Sequence, residues 1–442
     1  MKWSMFNSIL PYEQEFALYN SFTQKVIFLA SELKELLSAA IIEGIDGLGD
    51  YHPTFYNYLK EHEFLVESDC NEVDNVHEMS IKIDNNAETY MLTINPTMNC
   101  NFKCWYCYET HIKQSKLNND IKSRLCKFIE KTVINYSSLQ TFSLSFFGGE
   151  PLLYFEKTVE PIINFSKHIC EQKDVVLTVG FTTNGYLINE NILKYFSDNN
   201  LTCGFQITLD GYKDEHDKIR YVNVNKGSYS EIIKNIRLLI LNKHFVRLRI
   251  NYTNDNITNT HKIPEEFIDI AKEIRDEYLV FDFHRVWQNI AEGDINDLVQ
   301  LNMEKIYDKG FIVRGNSSLN NVADPCYADK RHTVTVNYNG DIYKCTARDF
   351  TRENRAGYLN NDGELVWENN HLEKRMNIKF KNKPCQTCRI LPLCGGGCSQ
   401  HAIENEENDY CIYKGNEEEK NMVIKSKIND ILKDLPKPVA SS

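Results

Sequence analysis

With 442 residues, 42% of them hydrophobic and 25% charged, the chain suits two or three packed domains, and its formal net charge of −12 gives no overall pull on nucleic acid or on an anionic membrane surface. No apolar run reaches the length of a membrane span, and Met1–Phe6 lacks the basic-then-apolar pattern of a signal peptide. The expected address is therefore the cytoplasm, where 14 cysteines serve as metal ligands more often than as disulfides.

Residues 1–85 read as a separate N-terminal module. Leu10–Asn20 suggests a strand-and-turn region, and Gln24–Glu43 places Leu29, Leu33, Leu36, Leu37 and Ala40 on one helical face. A second helix is expected over Pro53–His62, a short strand over Phe64–Val66, and an acidic helix or linker up to residue 85. From residue 88 the pattern alternates: strands at 89–95, 142–147, 176–182, 203–209, 246–252 and 279–284, helices near 117–136, 157–172, 188–198, 229–242 and 263–277. Six such repeats predict right-handed parallel βαβ units and a partial (β/α)6 barrel over 86–310. Chemistry on such a barrel belongs at the C-terminal ends of the strands.

The first strand end carries Cys100, Cys104 and Cys107, spaced C-x3-C-x2-C. Three thiolates can hold three corners of a four-iron cluster and leave one iron open; a zinc knuckle short of one ligand is the plainer alternative. Strand two ends Gly148-Gly149-Glu150-Pro151, where bare backbone can approach a ligand closely. Strand three ends Thr182-Thr183-Asn184-Gly185, and strand four Thr208-Leu209-Asp210-Gly211. Cys126, Cys170 and Cys203 lie among apolar residues and read as packing, and Cys70 as an unassigned thiol. Residues 311–442 hold a second concentration: Cys326, Cys345 at the end of a hairpin around Tyr338–Asp341, then Cys385, Cys388, Cys394, Cys398 and Cys411. A zinc ribbon would use four of these and leave three idle. Lys414–Leu435 is expected as a charged helix and Pro436–Ser442 as a frayed tail.

The triad with an aromatic before its third cysteine, together with Gly-Gly-Glu-Pro, resembles the radical S-adenosylmethionine (radical SAM) enzymes. The seven C-terminal cysteines resemble the SPASM extension of members that act on peptides and proteins. The resemblance implies three [4Fe-4S] clusters and S-adenosylmethionine (SAM) as cofactors. Cys100, Cys104 and Cys107 would hold the SAM-binding cluster, Cys385, Cys388, Cys394 and Cys411 one auxiliary cluster, and Cys326, Cys345 and Cys398 the other, whose fourth iron is left open or taken by a non-cysteine or substrate ligand because no cysteine stands between Cys203 and Cys326. For SAM it implies Gly148, Gly149 and Glu150 at the methionine amine, Tyr106 at the adenine, Thr208 at the ribose and Arg220 at the carboxylate, with Arg249 and Asn251 as further candidates. It implies reductive cleavage of SAM and removal of a substrate hydrogen atom by the resulting radical.

Among the outcomes of such enzymes, maturation of a ribosomally made precursor peptide ranks first, by a thioether or carbon–carbon cross-link, with a flavodoxin or ferredoxin as reducing partner. The alternatives are formylglycine formation in sulfatases and, in another class, a non-catalytic electron-transfer or binding protein. Sulfatase-activating members carry an acid directly after the Gly-x4-Cys cysteine; here that position is Thr346, with Asp349 the nearest acid. The order of elements in residues 1–85 is similar to winged-helix peptide-recognition modules, and a plain packing domain fits as well.

Overall fold

A computed structural model describes residues 1–223, 225–288, 295–315, 321–405 and 409–434. They form two compact units: Ala87–Ser318 with His332–Leu372, and Met1–Asn86 with Leu319–Arg331 and Glu373–Ser442.

The larger unit is built on one sheet. Its strands are β1 (Thr89–Asn95), β2 (Thr141–Phe146), β3 (Val176–Thr183), β4 (Cys203–Leu209), β5 (Phe245–Tyr252), β6 (Leu279–Arg285), β7 (Ile312–Arg314), β8 (Thr333–Asn337), β9 (Asp341–Tyr343), β10 (Gly357–Leu359) and β11 (Leu365–Trp367). The order is β7-β6-β5-β4-β3-β2-β1-β8-β9-β10-β11. β1 to β7 pair in parallel with their chain neighbours. The expected six-stranded partial barrel is therefore present and is extended: β8 joins β1 in parallel, and β8 to β11 continue as an antiparallel meander.

Alternation along each strand sorts the two faces. Phe142, Leu144 and Phe146 of β2, and Phe205, Ile207 and Leu209 of β4, are buried in a core that includes Ile129, Ile163, Phe196 and Ile236 from the intervening helices. The opposite face is polar: Thr93, Ser145 and Gly180 fall in one register row, and Thr208, Arg249 and Asp282 in another. Burial drives the first face, at about 1.5–3 kcal/mol for each large apolar side chain, and leaves the second free for chemistry.

His244 is a core element with a readable pH signature. Its Nδ1 accepts the Cys203 N–H at 3.1 Å, so the ring must stay neutral, and burial lowers its pKa from 6.5 to about 4. The unfolded chain then takes up a proton first as pH falls, so stability present above about 6.5 is lost between there and about 4. The expected loss is about 3 kcal/mol, measured by denaturant titration of the iron-free protein. A His244→Gln variant should lose this component of the pH slope.

In the smaller unit, Asn7–Tyr12, Glu15–Asn20 and Val26–Leu29 form an antiparallel meander, and Lys2–Trp3 pairs with Leu65–Val66. Helices Ser31–Glu43, Pro53–Glu61 and Glu72–Asp84 follow. The expectation of a helix from Gln24 is corrected: Val26 and Ile27 are β-branched and Phe28 aromatic, a composition that favours the pleated edge, and the helix begins at Ser31. The helix expected over 263–277 is corrected too. It splits into a 3₁₀ segment, Thr260–Phe267, around Pro264, and a short α-helix, Lys272–Tyr278, because proline supplies no N–H to a helical ladder.

The first 86 residues have one core of their own and share two others. Leu18, Leu37, Leu48, Leu59 and Phe64 pack together. Leu10, Ala17 and Tyr19, however, share a core with Ile390, Leu393, Ile424 and Ile428, and Phe6, Val73 and Val76 share another with Val322, Phe380 and Leu391. The chain thus divides differently from the expected 1–85, 86–310 and 311–442. The C-terminal helix runs Glu417–Asp434, and the tail Pro436–Ser442 lies outside the described residues. Among the described residues no helix is long and apolar enough to cross a membrane.

Candidate active site

The loop after β1 carries the cysteine triad and is held from both sides. Thr97 donates its hydroxyl to the Ser115 carbonyl at 2.6 Å, and Ser115 Oγ accepts the Met98 N–H at 2.9 Å. Phe102 is buried with its ring edge-on to Tyr186, 5.6 Å between centroids. The Phe102 N–H points at Cys100 Sγ, 3.4 Å away, and the Cys107 N–H donates to the Cys104 carbonyl at 3.1 Å. Burial pushes the Cys100 thiol up to about 12 and Cys107 up to about 11, with Cys104 raised as well and coupled to both. Thiols so placed ionise only against positive charge. This donor set, three sulfurs on one short loop with Cys100 and Cys104 half-buried and Cys107 exposed, fits an iron cluster reached from solvent.

Gly148 and Gly149 are required by this loop itself. Gly148 has φ +80°, and a Cβ on Gly149 would stand 2.2 Å from the Asn99 carbonyl oxygen. The next N–H, that of Glu150, donates to the same Asn99 oxygen at 2.8 Å. The Glu150 carboxylate is wholly buried and accepts three bonds: Leu152 N–H at 3.0 Å, Thr183 Oγ1–H at 2.7 Å and Asn184 N–H at 2.9 Å. Asn184 in turn donates to Asn101 Oδ1 at 2.8 Å. Glu150 therefore ties the ends of β2 and β3 to the cluster loop.

Tyr106, between the second and third cysteines, is the centre of a polar cluster on the sheet's open face. Its hydroxyl donates to Asp210 Oδ1 at 2.5 Å and accepts from Arg220 Nη2 at 2.7 Å and Asn251 Nδ2 at 3.0 Å. Arg220 also pairs through Nε with the fully buried Asp210. His216 fixes this pair from behind. It accepts the Asp210 N–H at 3.1 Å and meets Ser228 Oγ at 3.0 Å, and Ser228 donates to the Arg220 carbonyl at 2.8 Å. Burial holds the His216 pKa well below its usual value. Arg249 donates to Asn251 Oδ1 at 2.8 Å, and Thr208 is half-buried beside Arg249 in register. Of the residues singled out from sequence, Tyr106 is thus bonded to Arg220 and Asn251, with Arg249 one bond further on and Thr208 beside it in register. Replacing Tyr106 with Phe should leave Asp210 and Arg220 short of a buried partner, at a cost of about 1–3 kcal/mol, read as a lower denaturation midpoint.

Two contacts join the triad loop to the hairpin end at Cys345. Tyr108 donates its hydroxyl to the Thr346 carbonyl at 2.7 Å, and Asp349 takes both the Thr110 N–H, at 2.8 Å, and the Thr110 hydroxyl. Asp349 also accepts its neighbour Phe350 N–H at 2.8 Å. Glu109 between them was missed in the sequence. Its Oε2 is buried without a hydrogen-bond partner among the described residues. Burial first, then Asp349, pushes its carboxyl up to about 8, against the Gly149 N–H that favours the charged form. Its position two residues after Cys107 was the only available signal.

In the smaller unit Cys385, Cys388, Cys394 and Cys411 line one pocket with Tyr410 and Tyr413. Burial and the neighbouring sulfurs raise Cys394 to about 12 and Cys385 to about 11. Gly397 there has φ +82°, and a Cβ would meet Ile412 at 3.0 Å. Cys326 and Cys398 belong to the same unit, and Cys345 to the larger one. Among the described residues no three His, Cys, Asp or Glu converge as they would on a single metal ion.

Residues 94–274 match the sequence model described as the Radical SAM superfamily. The match marks a radical SAM domain over those residues. It is 29% identical over 350 residues, 72% of this chain and 90% of the other, to a cysteine-type anaerobic sulfatase-maturating enzyme of Clostridium novyi. It is 22% identical over 376 residues, 77% of this chain and 75% of the other, to the radical SAM cyclopropyl synthase TigE of Paramaledivibacter caminithermalis. Among solved structures, anSMEcpe with bound AdoMet aligns with TM-score 0.57 and 18% identity over 78% of this chain and 98% of that one. Streptococcus suis SuiB bound to S-adenosylmethionine aligns with TM-score 0.53 and 18% identity over 94% of this chain and all of that one.

Proposed function

We propose that this enzyme matures a ribosomally made precursor peptide, removing a hydrogen atom from a side chain or α-carbon so that a thioether or carbon–carbon cross-link forms. The observation that carries the reading is the extent of the SuiB-like fold. Covering 94% of this chain, it leaves too few residues unmatched to omit the N-terminal segment, whereas the anSMEcpe fold covers 78%. SuiB has been solved with its precursor peptide SuiA.

Cys100, Cys104 and Cys107 would hold the cluster that supplies reductive cleavage of SAM. Gly148 and Gly149 let the backbone at β2 close on that loop, and Glu150 locks it. Tyr106, Thr208, Arg220 and Asn251 would border the nucleoside and amino-acid parts of SAM. The protein's contribution is to orient the reacting carbon and exclude water. The pocket of Cys385, Cys388, Cys394 and Cys411 supports one auxiliary four-iron cluster; Cys326, Cys345 and Cys398 would serve a second, giving three in all. A flavodoxin or ferredoxin is the proposed reductant.

A second reading, formylglycine formation, is favoured by the sulfatase-maturating relative at 29% identity. Against it, Thr346 occupies the position of the expected acid, and Asp349 is spent on Thr110 and Phe350. The test incubates reconstituted enzyme with the short peptide encoded beside its gene and, separately, with a sulfatase-derived cysteine peptide. The first should lose two hydrogens with its sulfur retained and become cross-linked. Conversion of only the second to the aldehyde would establish the sulfatase reading instead.

A further inference from the structure

A buried polar network in the smaller unit lies outside the chemistry above. The Asp329 N–H donates to the Cys326 carbonyl at 2.9 Å, closing the single 3₁₀ turn Tyr327–Asp329. The Asp329 carboxylate then receives the hydroxyl of Ser399 on Oδ1, the residue directly after Cys398. Its Oδ2 lies 3.3 Å from Lys379 Nζ, which is also 3.0 Å from Asp84 Oδ2. Ser80 donates to the same Asp84 oxygen at 2.9 Å. Arg375 donates to Ser399 Oγ at 2.8 Å. Asp84, Asp329, Arg375, Lys379 and Ser399 are all buried.

We propose that this network positions Cys326 and Cys398 as ligands of one cluster, and that helix Glu72–Asp84 of the N-terminal segment thereby helps to build the site. The inference rests on reading those cysteines as iron–sulfur ligands. Two carboxylates balanced by a lysine and an arginine gain little stability over apolar packing of the same volume, because each charge is stripped of water. What such a network supplies is geometry, fixed directions and fixed lengths, although Asp84 Oδ1 is buried without a hydrogen-bond partner among the described residues. Here one short turn connects it to Cys326 and one peptide bond to Cys398. The two thiolates, far apart in sequence, are set by a single Asp329–Ser399 contact. The formal charges of the two carboxylates, the lysine and the arginine sum to zero.

The test compares full-length Ser399→Ala, Ser399→Thr and Asp84→Asn with the Cys326→Ser/Cys398→Ser double variant, all reconstituted anaerobically and read by iron content and electron paramagnetic resonance. The double variant should lose about four irons. Ser399→Ala should lose the same four and the same resonance, Ser399→Thr should retain both, and Asp84→Asn should shift that resonance alone. Full iron and an unchanged spectrum in Ser399→Ala, while the double variant loses four, would overturn the proposal. So would loss of iron from every site in Ser399→Ala, which marks general unfolding. Full iron in the double variant would instead refute the reading of the cysteines.

Discussion

Removal of residues 1–86 is expected to strip the auxiliary iron and leave about four irons of an initial twelve or so, with the truncated chain aggregating. Leu10, Ala17, Tyr19, Phe6, Val73 and Val76 form one side of two cores whose other side is Val322, Phe380 and the residues around the C-terminal cysteines. Cys385, Cys388 and Cys394 themselves pack against those cores. Exposing the removed residues' buried partners Ile390, Leu393, Ile424, Ile428, Val322, Phe380 and Leu391 forfeits on the order of 10 kcal/mol, which is the whole stability of an ordinary domain. Lys379 would also lose Asp84. A detachable recognition module predicts the contrary, a truncated monomer with all its iron and only a loss of peptide affinity. Iron assay and size-exclusion chromatography separate the two.

Gly149→Ala should abolish the SAM-binding cluster. The added Cβ would fall 2.2 Å from the Asn99 oxygen and 2.7 Å from its carbon, both backbone atoms, so the loop bearing Cys100 must move. A displacement of even about 1 Å can cost on the order of 10²-fold in rate. Loss of about four irons and of SAM cleavage is expected. Gly204→Ala on β4, where a Cβ meets nothing within 4 Å, should keep both. Full iron in Gly149→Ala would show that the loop has slack which the packing does not suggest.

The barrel was legible because its signal is redundant. In β2 and β4 every second residue is apolar, and the strand ends carry the motif residues, so pattern and chemistry locate the same positions. β1 to β6 lie within a residue or so of their expected bounds. The N-terminal segment was legible as strands, helices and a final short strand, but its partner was not. Which apolar face meets Ile424 or Leu393 is a long-range matter that no local period encodes. The parallel pairing of β8 with β1 was hidden for the same reason, since a hairpin strand offers an edge without naming its neighbour. At the site, cysteine spacing pointed to a cluster before any geometry. The double duty of Gly149 as a steric requirement, the tie made by Glu150 across three loops and the unpartnered oxygen of Glu109 all depend on distances, and spacing alone carries none.

Cys100, Cys104 and Cys107 are expected to organise a cluster that cleaves SAM. Reconstituted, reduced enzyme incubated with SAM should produce 5′-deoxyadenosine, and a variant with all three cysteines changed to Ala should produce none while its C-terminal iron remains. No 5′-deoxyadenosine from fully iron-loaded enzyme, or equal amounts from the triple variant, would contradict the account.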